Sequence, residues 1–223
     1  MSEAESLPLK AWSRWNAAVM LAAAAGALVA GHPWPIAVVA LPSVALLVFA
    51  SRRAWTPSGR FGWANAVTAL RFALVAGAGI ALHRANGWLY CALMQLVFAL
   101  DGIDGWLARK TRSQSPFGSH FDMETDAVLV LLLGVELYER GRLGSWAVVP
   151  GLLRYVYVVC LSVVPARGDV PRSTLGRRAF VALMIGFPLA LIEPGLAGTA
   201  AAAIGAALVA ISFAISFRWS YRS

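Results

Sequence analysis

Eight apolar segments, separated by short polar loops, occupy most of this 223-residue chain and constrain its fold more than any other feature. They lie at roughly 16–31, 35–50, 62–82, 88–107, 120–138, 145–165, 179–193 and 195–217. About 20 apolar residues in a helix cross the ~30 Å hydrocarbon layer of a bilayer. Only 13% of the residues are charged, whereas a soluble domain has about 25%. The sequence therefore predicts an all-α, polytopic membrane helix bundle with about eight transmembrane helices.

The first two segments are short and share the turn "GHPWP", which predicts a helical hairpin. We expect residues 1–59 to form this hairpin with a basic cytoplasmic linker, and residues 60–223 to form a six-helix membrane domain. A cleaved signal peptide is an alternative interpretation of 16–31, because Lys10 and Arg14 precede an alanine-rich run. The second apolar segment follows within five residues, which favours the hairpin. Seven crossings are also an alternative, because the seventh segment is short and contains Pro188.

The basic residues are distributed unequally between the two sides of this arrangement. If the N-terminus is cytoplasmic and all eight segments cross, 14 of the 19 Lys and Arg residues fall on the inner side. Arg84, Arg140 and Arg142 fall on the outer side, and Arg71 and Arg154 fall within helices. This asymmetry follows the positive-inside rule. It explains the net charge of +8 without a nucleic-acid partner, since basic loops face an anionic leaflet.

Four aspartates lie in the stretch "DGIDGWLARKTRSQSPFGSHFDMETD", residues 101–126, at the cytoplasmic surface in this orientation. Asp101 and Asp104 share one face of the fourth helix, and Asp122 and Asp126 share one face of the fifth. A single acidic pair at a helix end is usually solvated. Four carboxylates brought together repel one another unless cations separate them, and hard oxygen ligands select Mg²⁺ or Mn²⁺. The pattern predicts a two-ion site of the kind that stabilises phosphoryl transfer.

The same stretch fits the signature D-x2-D-G-x2-A-R-x8-G-x3-D-x3-D, and in this the chain resembles the CDP-alcohol phosphotransferase (CDP-alcohol phosphatidyltransferase) family of integral membrane enzymes. All the fixed positions match: Asp101, Asp104, Gly105, Ala108, Arg109, Gly118, Asp122 and Asp126. The segment "NAVTALR" also looks like the family's first core helix, with Asn65, Thr68 and Arg71 spaced by threes. The resemblance covers the chain from about residue 60 onward, and the hairpin lies outside the common six-helix core.

The resemblance implies an enzyme of phospholipid biosynthesis that transfers a phosphatidyl group from CDP-diacylglycerol to a small alcohol and releases CMP. It implies that Asp126 is the general base for the acceptor hydroxyl, and that two divalent ions are held by Asp101, Asp104, Asp122 and Asp126. The positions that would surround the nucleotide are Asn65, Thr68, Gly105, Ala108, Arg109, Ser115 and Gly118. It also implies a bacterial inner membrane as the location and a homodimer, the usual state of relatives.

Three arginines on later segments predict how the acceptor alcohol binds. Arg154 lies in the middle of the sixth segment, where an unpaired guanidinium costs at least ~3 kcal/mol. Arg177 and Arg178 open the seventh segment in "STLGRRAF". We expect these arginines to bind a phosphate on the acceptor, with glycerol 3-phosphate first and inositol phosphate second. Inositol, serine and choline are alternative acceptors, and an internal ion pair or lipid headgroups are alternative partners for Arg154.

Two other acidic residues are predicted to be structural. Glu124 points away from the face shared by Asp122 and Asp126, so we expect a solvated side chain or a contact between loops. Glu136 is expected at the opposite membrane interface. A divalent-cation transporter and a non-catalytic scaffold are alternative functions. A transporter would place its carboxylates near mid-bilayer, and a scaffold built on a dead enzyme would be expected to lack at least one of the four aspartates.

Overall fold

The computed structural model describes residues 3–164 and 174–221, with side chains from Leu9 onward. It is all-α over these ranges, as the sequence predicts. The helices are α1 (Glu3–Ala30), α2 (Trp34–Ala50), α3 (Gly62–Ala81), α4 (Gly87–Lys110), α5 (Pro116–Glu139), α6 (Val149–Val163, after a 3-10 turn at Ser145–Val148), α7 (Thr174–Ile192) and α8 (Leu196–Tyr221). Three basic residues assigned to inner loops, Arg167, Arg172 and Arg222, lie outside the described residues.

Six helical segments in the described part of the chain are long and apolar enough to cross a membrane by length and composition. They are Leu9–Ala30, Gly62–Ala81, Gly87–Lys110, Ser145–Val163, Thr174–Ile192 and Leu196–Tyr221. The remaining helices are α2, which is apolar but has 17 residues, and α5, which is apolar in its middle and acidic towards both ends. The expectation of a polytopic helical membrane protein is confirmed.

Polar caps fix where α4 and α5 begin, and so where their aspartates lie. The Asn86 side chain accepts a hydrogen bond from the Trp88 N–H, at 2.8 Å. The Ser115 hydroxyl accepts one from the Gly118 N–H at 3.0 Å, and Pro116 follows in the first turn of α5. Such caps satisfy backbone donors that no helical carbonyl can reach. Each cap therefore sets the start of a helix that carries two of the four aspartates.

Helix α5 runs through the centre of the bundle and packs against α1, α2, α3, α6 and α7. Its middle is buried on all sides, because neighbouring helices approach without intervening side chains. A Cβ at Gly151 of α6 would lie 2.5 Å from the Leu131 Cα, and a Cβ at Gly134 would overlap the Ala147 carbonyl. Small residues allow this close backbone contact between membrane helices.

The N-terminal hairpin shares its core with the rest of the bundle. Helix α1 packs against α2, α5 and α6, and its Met20 and Ala24 are buried together with Leu47 of α2. The Trp12 indole donates to the Ser43 carbonyl at 2.9 Å. One face of α5 is therefore covered by a segment outside the predicted six-helix core.

Candidate metal and nucleotide site

Arg71 of α3 lies at the centre of the four aspartates and is fully buried. Its Nη1 donates to Asp104 Oδ2 at 2.6 Å and to Asp122 Oδ1 at 2.7 Å. Its Nη2 donates to Asp126 Oδ1 at 2.6 Å and lies 3.0 Å from Asp101 Oδ1. The aspartates of α4 and α5 thus meet, as their spacing predicts, around a cation on a third helix.

Three of the four carboxylates converge in a way that could hold a metal ion. Asp101, Asp122 and Asp126 each offer an oxygen within 4.8 Å of the others, and all three are partly exposed. Asp104 is more deeply buried, and its Oδ2 also accepts from the Thr68 hydroxyl at 3.0 Å. A set of carboxylate oxygens suits hard divalent cations such as Mg²⁺ and Mn²⁺. The donor chemistry therefore fits the predicted ions, and the ligand role of each aspartate stays a prediction.

A cavity of about 570 Å³ opens beside these aspartates. Its walls come from α3, the end of α4, the α4–α5 loop and the start of α5. Asp104 and Asp122 face it, so the cavity is continuous with the carboxylate cluster. The lining also contains all seven residues predicted to surround a nucleotide: Asn65, Thr68, Gly105, Ala108, Arg109, Ser115 and Gly118.

Two of these residues use their polar atoms to build the cavity wall. The Asn65 amide donates to the Phe61 carbonyl at 2.6 Å and to the Trp55 carbonyl at 3.1 Å. The Ser115 hydroxyl donates to the same Trp55 carbonyl at 2.6 Å. The linker before α3 is therefore tied to both α3 and α5, and this junction closes one side of the cavity.

Arg109 is the exposed cation of the cavity. Gly105 lies under it, since a Cβ there would come 3.3 Å from Arg109 Nη1. His120 also lines the cavity, and its Nδ1 lies 2.9 Å from the Pro116 carbonyl. His120 thus contacts the backbone of the first turn of α5, whereas Arg109 is free to meet an anion in the cavity.

Glu124 is buried, and the expectation of a solvated side chain is wrong. Its Oε1 accepts from Asn16 of α1 at 2.8 Å and from the Tyr155 hydroxyl at 2.9 Å. Its Oε2 lies 3.5 Å from Arg154 Nη2. Glu124 does point away from the aspartates, but α1 and α6 pack on that side, so the carboxylate faces protein and not water.

The arginines predicted to bind the acceptor lie in two different places. Arg154 is paired with Glu124, which is the internal ion pair considered as an alternative for it. Arg177 and Arg178 are exposed at the start of α7 and line a second cavity of about 530 Å³. Arg154 is not among the described residues that line this second cavity. An acceptor role for each arginine stays a prediction.

A second buried polar cluster lies at the other end of α5. Glu136 is fully buried in the last turn of α5, and its expected depth at the opposite membrane interface stays a prediction. It accepts from Arg140 Nε at 2.6 Å and from the Arg84 N–H at 2.9 Å, and it lies 2.8 Å from His83 Nδ1. The His83 ring lies beside that of His32, with centroids 4.1 Å apart and ring planes tilted by 46°. Burial lowers the pKa of His32, and the neighbouring His83 lowers it further.

Arg71 is the site residue to which the sequence analysis assigned no role. The sequence feature that could have indicated a role for it is the position of an arginine inside an apolar helix, three residues after Thr68. Ionisable groups at membrane depth usually mark function. Spacing alone could not show that α3 packs against both α4 and α5. That packing is what brings one guanidinium to two pairs of carboxylates.

Comparison with known proteins identifies relatives over the part of the chain that carries this site. Residues 61–217 match the family model described as CDP-alcohol phosphatidyltransferase. An "uncharacterized CDP-alcohol phosphatidyltransferase class-I family protein 2" from Dictyostelium discoideum is 40% identical over 67 residues, which are 29% of this chain and 16% of that protein. No solved structure is significantly similar to the chain.

Two further relatives are each named cholinephosphotransferase 1. The Homo sapiens protein is 36% identical over 85 residues, which are 37% of this chain and 20% of that protein. The Xenopus laevis protein is 36% identical over 69 residues, which are 30% of this chain and 16% of that protein. The matched region thus spans a fifth or less of the length of each curated relative.

Proposed function

The chain belongs to the CDP-alcohol phosphatidyltransferase family of membrane transferases in phospholipid biosynthesis, and we propose that it transfers a phosphatidyl group from CDP-diacylglycerol to a small alcohol and releases CMP. One observation carries this proposal. The four signature aspartates meet beside a cavity whose lining includes every residue predicted to contact the nucleotide.

The cavity suits the nucleotide half of such a donor. Its volume of about 570 Å³ falls within the range of small-molecule sites, roughly 300–1,000 Å³. Gly105, Ala108 and Gly118 contribute at most a methyl group each to the cavity wall. The Arg109 guanidinium can pair with a phosphate through two parallel hydrogen bonds. We therefore place the CMP portion in this cavity, with the phosphate chain directed towards the aspartates.

The proposed reaction is an in-line displacement at phosphorus. The acceptor hydroxyl oxygen attacks the phosphorus that carries the diacylglycerol, and the bond from this phosphorus to the CMP oxygen breaks. The electron pair of the broken bond leaves with CMP, and the hydroxyl proton passes to the Asp126 carboxylate. Asp126 uses Oδ1 to accept from Arg71, so its other oxygen can take the proton.

Two divalent metal ions would supply the remaining charge stabilisation. When bound, Mg²⁺ or Mn²⁺ would neutralise charge on the pyrophosphate and on the departing CMP. The residues proposed to hold the two ions are Asp101, Asp104, Asp122 and Asp126. Arg71 keeps these four side chains within reach of one another, and Thr68 orients Asp104 through its hydroxyl.

For the acceptor we propose glycerol 3-phosphate, with inositol phosphate second. The support is the exposure of Arg177 and Arg178 beside a cavity, since guanidinium groups bind phosphate well. Arg154 already has an anionic partner in Glu124. Choline is a second candidate headgroup, favoured by the two relatives named cholinephosphotransferase 1. Choline carries no phosphate and would leave these arginines without a role in binding.

We also propose that the site faces the cytoplasm of a bacterial inner membrane. The support is the excess of Lys and Arg on the side of the bundle that carries the aspartates. Arg109, Lys110 and Arg112 surround the end of α4 at that surface.

An acceptor panel tests the proposal. Purified protein in detergent would receive CDP-diacylglycerol, Mg²⁺ and one of glycerol 3-phosphate, inositol phosphate, inositol, serine or choline, with CMP release as the readout. A further arm would supply CDP-choline and diacylglycerol. We expect glycerol 3-phosphate to give the fastest release and Asp126→Asn to give none in any arm. Release in the choline arms alone would support the second candidate, and absence of release in every arm would favour the transporter or scaffold.

A further inference from the structure

The Arg71 side chain has no capacity left for a substrate. Nε donates to the Val97 carbonyl at 3.2 Å, and Nη1 and Nη2 reach the four aspartates at 2.6 to 3.0 Å. Every guanidinium nitrogen therefore has an oxygen partner within the protein. Its exposure is 0%, in contrast to Arg109, which is open to the cavity. Arg71 thus acts on the aspartates and not on a ligand.

The aspartates need this cation in the absence of metal. Like charges at short range raise each other's energy strongly away from water. A buried charge that loses its partner is strongly destabilising. One guanidinium shared by four carboxylates still leaves the site negative, so it reduces the repulsion without removing the attraction for further cations.

The way Arg71 contacts the aspartates leaves room for those cations. It contacts one oxygen of each carboxylate, Oδ2 of Asp104 and Oδ1 of the other three. Among the hydrogen bonds of the described residues, none uses the second oxygen of any of the four. The guanidinium and an incoming ion therefore do not compete for the same oxygen atoms.

We infer that Arg71 is a positioning residue that serves as the permanent counter-cation of the aspartate cluster: it holds the four carboxylates together before any ion binds and stays in place afterwards. This inference rests on the metal site of the proposed function. It extends that function by giving the metal-free protein an ordered site in which one buried guanidinium offsets part of the negative charge of the four carboxylates.

Thermal unfolding of purified protein, metal-free and with Mn²⁺, tests the inference without turnover. Arg71→Met should lower the metal-free Tm by about 10 °C, because it leaves four carboxylates without a counter-charge. Saturating Mn²⁺ should restore at least half of this loss, since the ions then supply the missing positive charge. Mn²⁺ electron paramagnetic resonance should show that the variant binds the ion at least as tightly as the wild type.

Arg140→Met is the matched control, because Arg140 pairs with a buried glutamate at the other end of α5. It should also lower the Tm, but Mn²⁺ should not restore it. If Arg71→Met does not fold, Arg71→Lys serves instead, because it keeps the positive charge but replaces the two terminal guanidinium nitrogens with one amino group. Its metal-free Tm should fall by a smaller amount, and Mn²⁺ should restore it.

The outcomes separate the inference from the proposed function. If the wild-type protein binds no Mn²⁺, the proposed metal site is absent and the inference fails together with it. A wild-type protein that binds Mn²⁺, together with Arg71 variants whose Tm is unchanged or is not restored by Mn²⁺, would overturn the inference alone. A tenfold or greater loss of Mn²⁺ affinity in Arg71→Met would likewise contradict the role of Arg71 as a counter-cation.

Discussion

Gly118 lies so close to Asn65 that a Cβ at Gly118 would come within 2.9 Å of the Asn65 side-chain oxygen. Asn65 cannot easily move aside, because its amide donates to the Phe61 and Trp55 carbonyls. A side chain at position 118 must therefore displace the junction that closes the nucleotide cavity. The signature glycine is explained by this contact between α3 and the first turn of α5.

Gly118→Ala should weaken donor binding. We expect the KM for CDP-diacylglycerol to rise by about 10-fold, because overpacking costs about 1–3 kcal/mol, while kcat falls less. The matched control is Gly102→Ala, since a Cβ at Gly102 meets nothing within 4 Å. Equal KM values for the two variants would show that the contact with Asn65 does not shape the donor site.

Removing a carboxylate should remove metal-dependent turnover. Asn at Asp101, Asp104 or Asp122 keeps the shape of the side chain but not its charge, and we expect CMP release to fall by at least ~100-fold. Mn²⁺ titration by electron paramagnetic resonance should show weaker binding in the same variants. If a variant keeps the wild-type Mn²⁺ affinity and the wild-type rate of CMP release, the aspartate that it replaces is not a metal ligand.

Asp126→Asn should separate catalysis from binding. If Asp126 mainly accepts the proton of the acceptor hydroxyl, kcat should fall far more than affinity for CDP-diacylglycerol, measured by equilibrium binding of the labelled donor. A parallel loss of donor affinity would instead mark Asp126 as chiefly a metal ligand. The base assignment would then have to be withdrawn.

Arg154→Ala distinguishes a substrate contact from an internal ion pair. If Arg154 binds the acceptor phosphate, the KM for glycerol 3-phosphate should rise about 10-fold or more while donor affinity is nearly unchanged. Tyr155→Phe is the control, because it removes another bond to Glu124 without removing a cation. If both variants lower the Tm and neither changes the acceptor KM, Arg154 serves only the buried network around Glu124.

His32, at the end of the bundle opposite the aspartates, should make stability depend on pH. Because the folded-state pKa of His32 lies below its ordinary value of 6.5, the unfolded chain takes up the proton first as the pH falls. Stability should therefore fall as the pH drops through 6.5 towards the folded-state pKa. The groups that face His32 are His83, Glu136, Arg84 and Glu139. The Tm should drop less between pH 7.5 and 5.5 in His32→Asn than in wild type, and equal drops would contradict this role.

The helices and much of the cavity lining could be predicted from the sequence because both depend on local patterns. Apolar runs predict membrane helices, and the resemblance to the family's signature implies that Gly105, Ala108 and Gly118 surround one ligand, which agrees with the cavity lining. The contacts of Arg71 and Glu124 depend on which helices pack together. Glu124 appears solvated on a helical wheel, and only the packing of α1 and α6 against α5 shows it to be buried.

Release of CMP from CDP-diacylglycerol by purified protein, with and without divalent ions, decides whether the aspartate cluster is a catalytic metal site. We expect release in the presence of glycerol 3-phosphate and Mg²⁺ or Mn²⁺, no release in excess EDTA, and recovery when either ion is added back. The Asp101→Asn variant should give no more release than the EDTA control. Full CMP release in excess EDTA would contradict a site built from Asp101, Asp104, Asp122 and Asp126 around two metal ions.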